Sequence, residues 1–159
     1  MEQEKFIEHY GRLYENSPHI ALEIYKQHSL DAKSPLEILN LMKDYVNKME
    51  KELKMNLILE HPELGIKKGQ SKNLTAHSQK EQKRAGLDLS DSDYSLLSQL
   101  NKEYMNKFKF PFIIAVSGLT KEEVFSSIKV RQKNSAEKEF NTAIDEIHKI
   151  AEIRLKNLY

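Results

Sequence analysis

Two short polar stretches carry the residue types that could do chemistry: His61-Pro62-Glu63-Leu64-Gly65 and Ser78-Gln79-Lys80-Glu81-Gln82. A residue before proline is driven out of the α region, so His61 is expected where a helix stops. The partial negative charge of a helix C-terminus would favour the imidazolium there and raise its pKa, giving a general acid near neutral pH. In the second stretch Ser78, Glu81 and Gln82 stand at i, i+3 and i+4. A hydroxyl, a carboxylate and a carboxamide then project from one helix face, and Gly86 suits the turn that ends it. That face has nothing apolar to bury. Its polar groups need water or a polar ligand, because burying them unpaired is costly.

The other candidates are weaker. Of the six histidines, His9, His19, His28, His77 and His148 read as surface or capping residues. His77 and Glu81 at i, i+4 could serve a metal, but no further ligand stands at the right spacing, so no metal site is expected. Cysteine is absent, which excludes thiolate chemistry, zinc ribbons and disulfides and fits a reducing compartment. Lys plus Arg is 25 against 24 Asp plus Glu, with the signs interspersed. Nucleic-acid and polybasic membrane roles need clustered cations and are not expected. No apolar run has the length of a membrane span, and Met1-Glu2-Gln3-Glu4-Lys5 does not read as a secretory leader.

The elements that must position these residues are helical. At 159 residues the chain is expected to form a single domain, 1–159, with its own core. Phe6, Ile7, Tyr10, Leu13 and Tyr14 predict a helix from Lys5 to Tyr14. Ser17 reads as the N-cap of a second, with Pro18 at its first position and Ile20, Ala21, Ile24 and Tyr25 inward. Ser34-Pro35 opens a longer helix whose Leu36, Leu39, Met42, Val46, Met49 and Leu53 form a core seam. That helix, or a second after a break near Asn56, runs up to His61. A loop covers 65–73, and Thr75 caps the helix bearing Ser78, Glu81 and Gln82.

Asp91-Ser92-Asp93 begins the next helix, with a stripe of Tyr94, Leu96, Leu97, Leu100, Tyr104 and Phe108. Phe110-Pro111-Phe112-Ile113-Ile114-Ala115-Val116 is a continuous apolar run with no second strand to pair with. It is expected to cross the core as an extended or short helical segment, its main-chain groups finding other partners, a ligand included. Thr120-Lys121-Glu122-Glu123 is a capping box for a helix to about Arg131, with Val124, Phe125 and Ile128 inward. Asn134-Ser135 caps the last helix, whose stripe is Phe140, Ala143, Ile144, Ile147, Ile150, Ala151 and Leu155. Six to eight helices without a fixed repeat make the class all-α.

The residues themselves go further. Tyr14-Glu15-Asn16-Ser17-Pro18-His19-Ile20-Ala21, His61-Pro62-Glu63-Leu64 and Ser78-x-x-Glu81-Gln82-x-x-Ala85-Gly86-Leu87 occur in that order. They are followed by Leu100-Asn101-x-x-Tyr104-x-x-Lys107-Phe108, Phe110-Pro111-Phe112-Ile113-Ile114, Arg131-x-x-Asn134-x-x-Glu137, and Ile150 with Arg154-Leu155. This series resembles the 2-oxo-4-hydroxy-4-carboxy-5-ureidoimidazoline (OHCU) decarboxylases of urate degradation over essentially the whole chain. The resemblance implies a cytoplasmic all-helical enzyme that forms homodimers and releases carbon dioxide and (S)-allantoin without a cofactor. By the same likeness His61 is the catalytic histidine and Glu81 its acidic companion. Pro62, Ser78, Gln79, Lys80 and Gln82, with the main chain of Phe112, Ile113, Ile114, Ala115 and Val116, form the substrate cradle. Three positions depart from the family's pattern. Ser117 stands where relatives often have Arg or Lys, Lys109 where Gly is usual, and His19 where Trp is common. The competing readings are the same fold acting on another ureido or imidazolone acid, and a non-catalytic helical interaction module.

Overall fold

Serine and threonine side chains fix where four of the helices begin in the computed structural model, which describes residues 1–64 and 89–158. The helices among those residues are α1 (Gln3–Tyr10), α2 (His19–Gln27), α3 (Pro35–Asn47), α4 (Lys51–Leu59), α5 (Asp91–Phe108), α6 (Lys121–Arg131) and α7 (Ala136–Asn157). With no strand among the described residues, the class is all-α. The Ser34 hydroxyl accepts from the Glu37 amide at 3.2 Å, with Pro35 in the first turn where its missing N–H costs nothing. Ser90 with Asp93 and Thr120 with Glu123 close reciprocal capping boxes, and Ser135 accepts from the Lys138 amide. Each such cap satisfies a first-turn N–H and contributes about 1 kcal/mol.

Three boundaries differ from the periodicity. The first helix ends at Tyr10, and 11–18 runs on as turns rather than helix. Ser17 does not cap α2: its hydroxyl donates to the Glu15 carbonyl at 2.9 Å, and Pro18 takes the N-cap position. The long seam breaks at Lys48–Glu50 rather than near Asn56, which changes its phase. Ile38, Leu39, Met42 and Val46 are buried, whereas Leu36 and Leu53 are 53% and 51% exposed.

α1 packs on α2 and α2 on α3, while α3 and α4 lie against α7 and α5 against α6. A large apolar core is shared by these helices, and a smaller one gathers Leu64, Leu97, Val116 and Val124. The last helix is the axis of the arrangement. Its apolar stripe is buried as expected, with His148 buried beyond one side of it. Along its other side runs a polar row the periodicity did not show: Glu139, Glu146 and Arg154 are 0%, 8% and 2% exposed. With Ala143 and Ile150 between them, these residues fall within roughly 80° of arc at 3.6 residues per turn.

The Phe110–Val116 run forms neither helix nor strand, has no strand to pair with among the described residues, and is buried except at Ile114 and Ala115, which are half-buried. Its aromatic half stacks around Tyr104, whose ring centroid lies 5.9 Å from Phe110 and 5.3 Å from Phe112. Its main-chain groups find side-chain partners. Arg131 Nη1 donates to the Ile113 carbonyl at 2.6 Å, and the Ala115 amide donates to Glu146 Oε1 at 3.2 Å. Buried backbone without a ladder needs such substitutes.

Candidate active site

His61 stands two residues past the end of α4, where the Pro62 rule put it. Its amide donates to the Ile58 carbonyl at 3.2 Å, so the chain makes a last tight turn that points the imidazole inward, and the residue is 7% exposed. Nδ1 lies 3.4 Å from the Leu57 carbonyl. A carbonyl can only accept, so Nδ1 carries the hydrogen, and Nε2 keeps its lone pair. Nε2 is buried and has no hydrogen-bond partner among the described residues.

The electrostatics reverse the expectation from the helix terminus. Burial, then the positive charge of Arg154, pull the His61 pKa from its ordinary 6.5 to about 4, against the opposing pull of Glu15 and the Leu57 carbonyl. A helix end contributes a fraction of a charge screened by solvent, whereas desolvation in the interior can shift a pKa by several units. At neutral pH His61 is therefore a neutral imidazole, not a resting general acid, and its Nε2, unpartnered among the described residues, is available to accept a proton.

Arg154 belongs to the last helix and Glu15 to the 11–18 turns. Their side chains meet at 2.6 Å with 2% and 1% exposure, and Arg154 Nη1 also donates to the Arg12 and Leu13 carbonyls at 3.3 Å each. The adjacent Tyr14 hydroxyl donates to His148 Nδ1 at 2.8 Å, and His148 Nε2 donates to Asn47 Oδ1 at 2.9 Å. These two links clamp the turns over α7.

The His61 segment and the Phe110–Val116 run are joined through the smaller core. Leu64, three residues past His61, packs with Val116, and Ile114 lies against the same cluster. Asn101 Nδ2 donates to the Leu64 carbonyl at 2.9 Å, tying the end of the His61 segment to α5. Pro62 is half-buried beside His61. Ser78, Gln79, Lys80, Glu81 and Gln82 lie outside the described residues, as does His77. Among the described residues no group of three or more His, Asp or Glu could hold a metal ion, and no helix is long and apolar enough to cross a membrane.

Sequence reasoning missed the buried acids. Glu137, the acid quoted in the motif series, is exposed. The carboxylate that meets Arg131 and Asn134 belongs to Glu139, two positions on, through bonds of 2.8 and 2.9 Å. The signal available was the spacing of Glu139, Glu146 and Arg154 by seven and eight residues beside an apolar stripe.

The chain matches the OHCU decarboxylase family model over residues 1–156. It is 34% identical over 156 residues to the 2-oxo-4-hydroxy-4-carboxy-5-ureidoimidazoline decarboxylase of Haloferax volcanii, covering 98% of this chain and 89% of that protein. It is 36% identical over 160 residues to the uric acid degradation bifunctional protein of Bacillus sp. strain TB-90, covering 100% of this chain and 31% of that longer one. The crystal structure of (S)-allantoin synthase superposes with a TM-score of 0.79 at 26% identity, covering 99% of this chain and 51% of that one. The crystal structure of OHCU decarboxylase in the presence of (S)-allantoin gives 0.74 at 25% identity, covering 99% and 98%. Matched in sequence from end to end and in the path of its backbone, the chain belongs to the OHCU decarboxylase family.

Proposed function

We infer that the chain decarboxylates 2-oxo-4-hydroxy-4-carboxy-5-ureidoimidazoline to (S)-allantoin and carbon dioxide, with His61 handling the protons and no cofactor required. The observation that carries this reading is a buried, neutral histidine whose Nε2 has no partner among the described residues, in a chain that matches a decarboxylase family over residues 1–156. When carbon dioxide leaves, the bonding pair forms a double bond between the ring carbon that bore the carboxylate and the carbon bearing the ureido group. The electrons of the adjacent C=N pass to nitrogen, which takes a proton. The substrate thus contains its own electron sink, the task for which other decarboxylases recruit pyridoxal or thiamine.

The intermediate is an enol. Its hydroxyl gives a proton to His61 Nε2 and the ureido-bearing carbon receives one, leaving the carbonyl of allantoin. In sum one proton is consumed and one carbon dioxide is released. A histidine that rests neutral suits the accepting step, and general acid–base help of this kind supplies about 10²- to 10⁴-fold in rate. Glu81 is the acidic companion in this scheme. Pro62, Ser78, Gln79, Lys80 and Gln82, with the main chain of 112–116, hold the ureido and ring carbonyl groups. Enclosure disfavours the substrate carboxylate relative to neutral carbon dioxide. We further assign the chain as a single domain over 1–159 that works as a cytoplasmic homodimer.

The test is to generate the unstable substrate in place from urate with the two preceding enzymes and to follow optically active allantoin by circular dichroism. Turnover well above spontaneous decay, yielding the S enantiomer, is expected. A rate equal to spontaneous decay overturns the assignment, and acceleration only with another ureido or imidazolone acid replaces the substrate.

A further inference from the structure

We propose that Arg131 and Glu139 are positioning residues that set the Phe112–Ile113 main chain of the substrate wall from behind. This rests on the reading of 112–116 as substrate-binding. The pair is buried, Arg131 Nε donating to Glu139 Oε1 at 2.8 Å with side chains 10% and 0% exposed. The same Glu139 oxygen accepts from the Tyr104 hydroxyl at 2.5 Å, and Oε2 accepts from Asn134 Nδ2 at 2.9 Å.

Stability alone does not account for this cluster. A buried ion pair can often be replaced by apolar side chains of similar volume without loss, because desolvation offsets the attraction. Here the offset is larger than usual, since Arg131 Nη2 is buried with no hydrogen-bond partner among the described residues. What an apolar pair could not do is reach the backbone. Arg131 Nη1 donates to the Ile113 carbonyl at 2.6 Å, and the guanidinium lies 4.4 Å from the centroid of the Phe112 ring. Glu146 adds a second pin at the Ala115 amide.

The partners give those pins a direction. Arg131 belongs to α6 and Glu146 to α7, so the Ile113 carbonyl and the Ala115 amide hold the edge of the segment that faces those two helices. A segment without a strand partner has no ladder to hold that edge at a fixed angle, and the Arg131–Glu139 pair replaces it. The pair acts on how substrate is held rather than on the reacting atoms.

The experiment compares wild type with Arg131→Lys and the charge-matched double variant Arg131→Met/Glu139→Gln. The double variant removes both buried charges together and so avoids leaving one of them unpaired. Two readouts are taken: the amide chemical shifts of Ile113 to Val116, and KM and kcat for the substrate made in place. The expected result is altered shifts in that segment and a KM raised about tenfold with kcat within about threefold, the pattern of lost uniform binding. Arg131→Lys should fall between the two, since one ammonium can reach Glu139 or the Ile113 carbonyl but lacks the fork to hold both. Unchanged amide shifts overturn the proposal, as do altered shifts with unchanged KM, or an equal loss in kcat and kcat/KM. If wild type itself does not decarboxylate, the function assignment fails separately, and the amide shifts still decide whether the pair holds the segment.

Discussion

The two ends of α7 carry the same kind of feature and use it differently. At the first turn Glu139 gathers Tyr104, Arg131 and Asn134 on one carboxylate, and the product of that convergence is a fixed backbone carbonyl at Ile113. Near the last turn Arg154 pairs with Glu15 and binds two backbone carbonyls, and beside it lies a third titratable group, His61, whose Nε2 has no partner among the described residues. At the first end the hydrogen bonds fix geometry, and the buried nitrogen left over there, Arg131 Nη2, can only donate. At the second end the nitrogen left over among the described residues, His61 Nε2, carries a lone pair, and its surroundings set a proton affinity. A buried charge cluster is therefore not by itself a sign of chemistry, and neither is an unpartnered atom; an unpartnered proton acceptor is the more telling observation.

The strongest way to break this contrast is His61→Asn. Because the imidazole makes one long hydrogen bond among the described residues, the variant should keep its helical circular dichroism and thermal midpoint. Turnover should fall about 10²- to 10⁴-fold. A folded Asn variant with wild-type turnover would show that the open end does no chemistry.

Arg154→Met tests the same end through stability. It removes the guanidinium from a carboxylate that is 1% exposed, and losing one member of a buried pair costs about 3–5 kcal/mol. Urea unfolding should show this loss, largely recovered in Arg154→Met/Glu15→Gln. In the single variant the His61 titration, followed by NMR, should also move upward. Arg154 is among the causes that lower its pKa and Glu15 among those that raise it.

The pH dependence separates the partnered buried histidine from the unpartnered one. Both His61 and His148 have pKa values lowered from 6.5 to about 4, chiefly by burial. Between those values the unfolded chain binds protons that the folded chain does not, so stability falls as pH drops from about 6.5 towards 4 and is level above 7. His61→Asn should reduce the steepness of that fall with little change at pH 8. His148→Asn should reduce it too, but with a loss at every pH, because it breaks the link from Tyr14 to Asn47. Unfolding midpoints in urea at a series of pH values distinguish the two.

What the sequence shows and hides at these two ends follows from the range of the forces. Ser34, Thr120 and Ser135 cap their helices as their local sequence implies, since a cap involves only residues three positions apart. His61 stands at a helix end for an equally local reason, the proline that follows it. Its proton affinity could not be read there, because burial and Arg154, far along the chain, outweigh the helix terminus. Glu139 and Glu146 left no mark in the periodicity, which registers apolar residues and not acids that turn inward to meet an arginine or an amide. The break at Lys48–Glu50 carries no Gly or Pro, so no local signal marks it. That Phe110–Val116 crosses the core without a strand partner was legible from its composition, whereas composition does not decide between an extended and a short helical course and does not show the side chains that replace the ladder.

The smallest expected effect lies beside the geometric end. Lys109 closes α5 with φ +67 and ψ +21, the left-handed region where a Cβ is crowded by the backbone. Glycine meets no such penalty there, and Lys109 occupies a position where glycine is usual in the family it resembles. Lys109→Gly should raise unfolding stability by about 0.5–1 kcal/mol, the roughly 1–2 kcal/mol left-handed penalty for a non-glycine residue less the roughly 0.4–1 kcal/mol of chain entropy glycine adds to the unfolded state. Because the backbone path from Phe108 into Phe110 stays the same, kcat and KM should not move. A gain in stability with unchanged kinetics would show that this strain bears on folding alone. A shift in KM would mean instead that the left-handed turn also sets the angle of the Phe112–Ile113 wall, and that the geometric end extends back into α5.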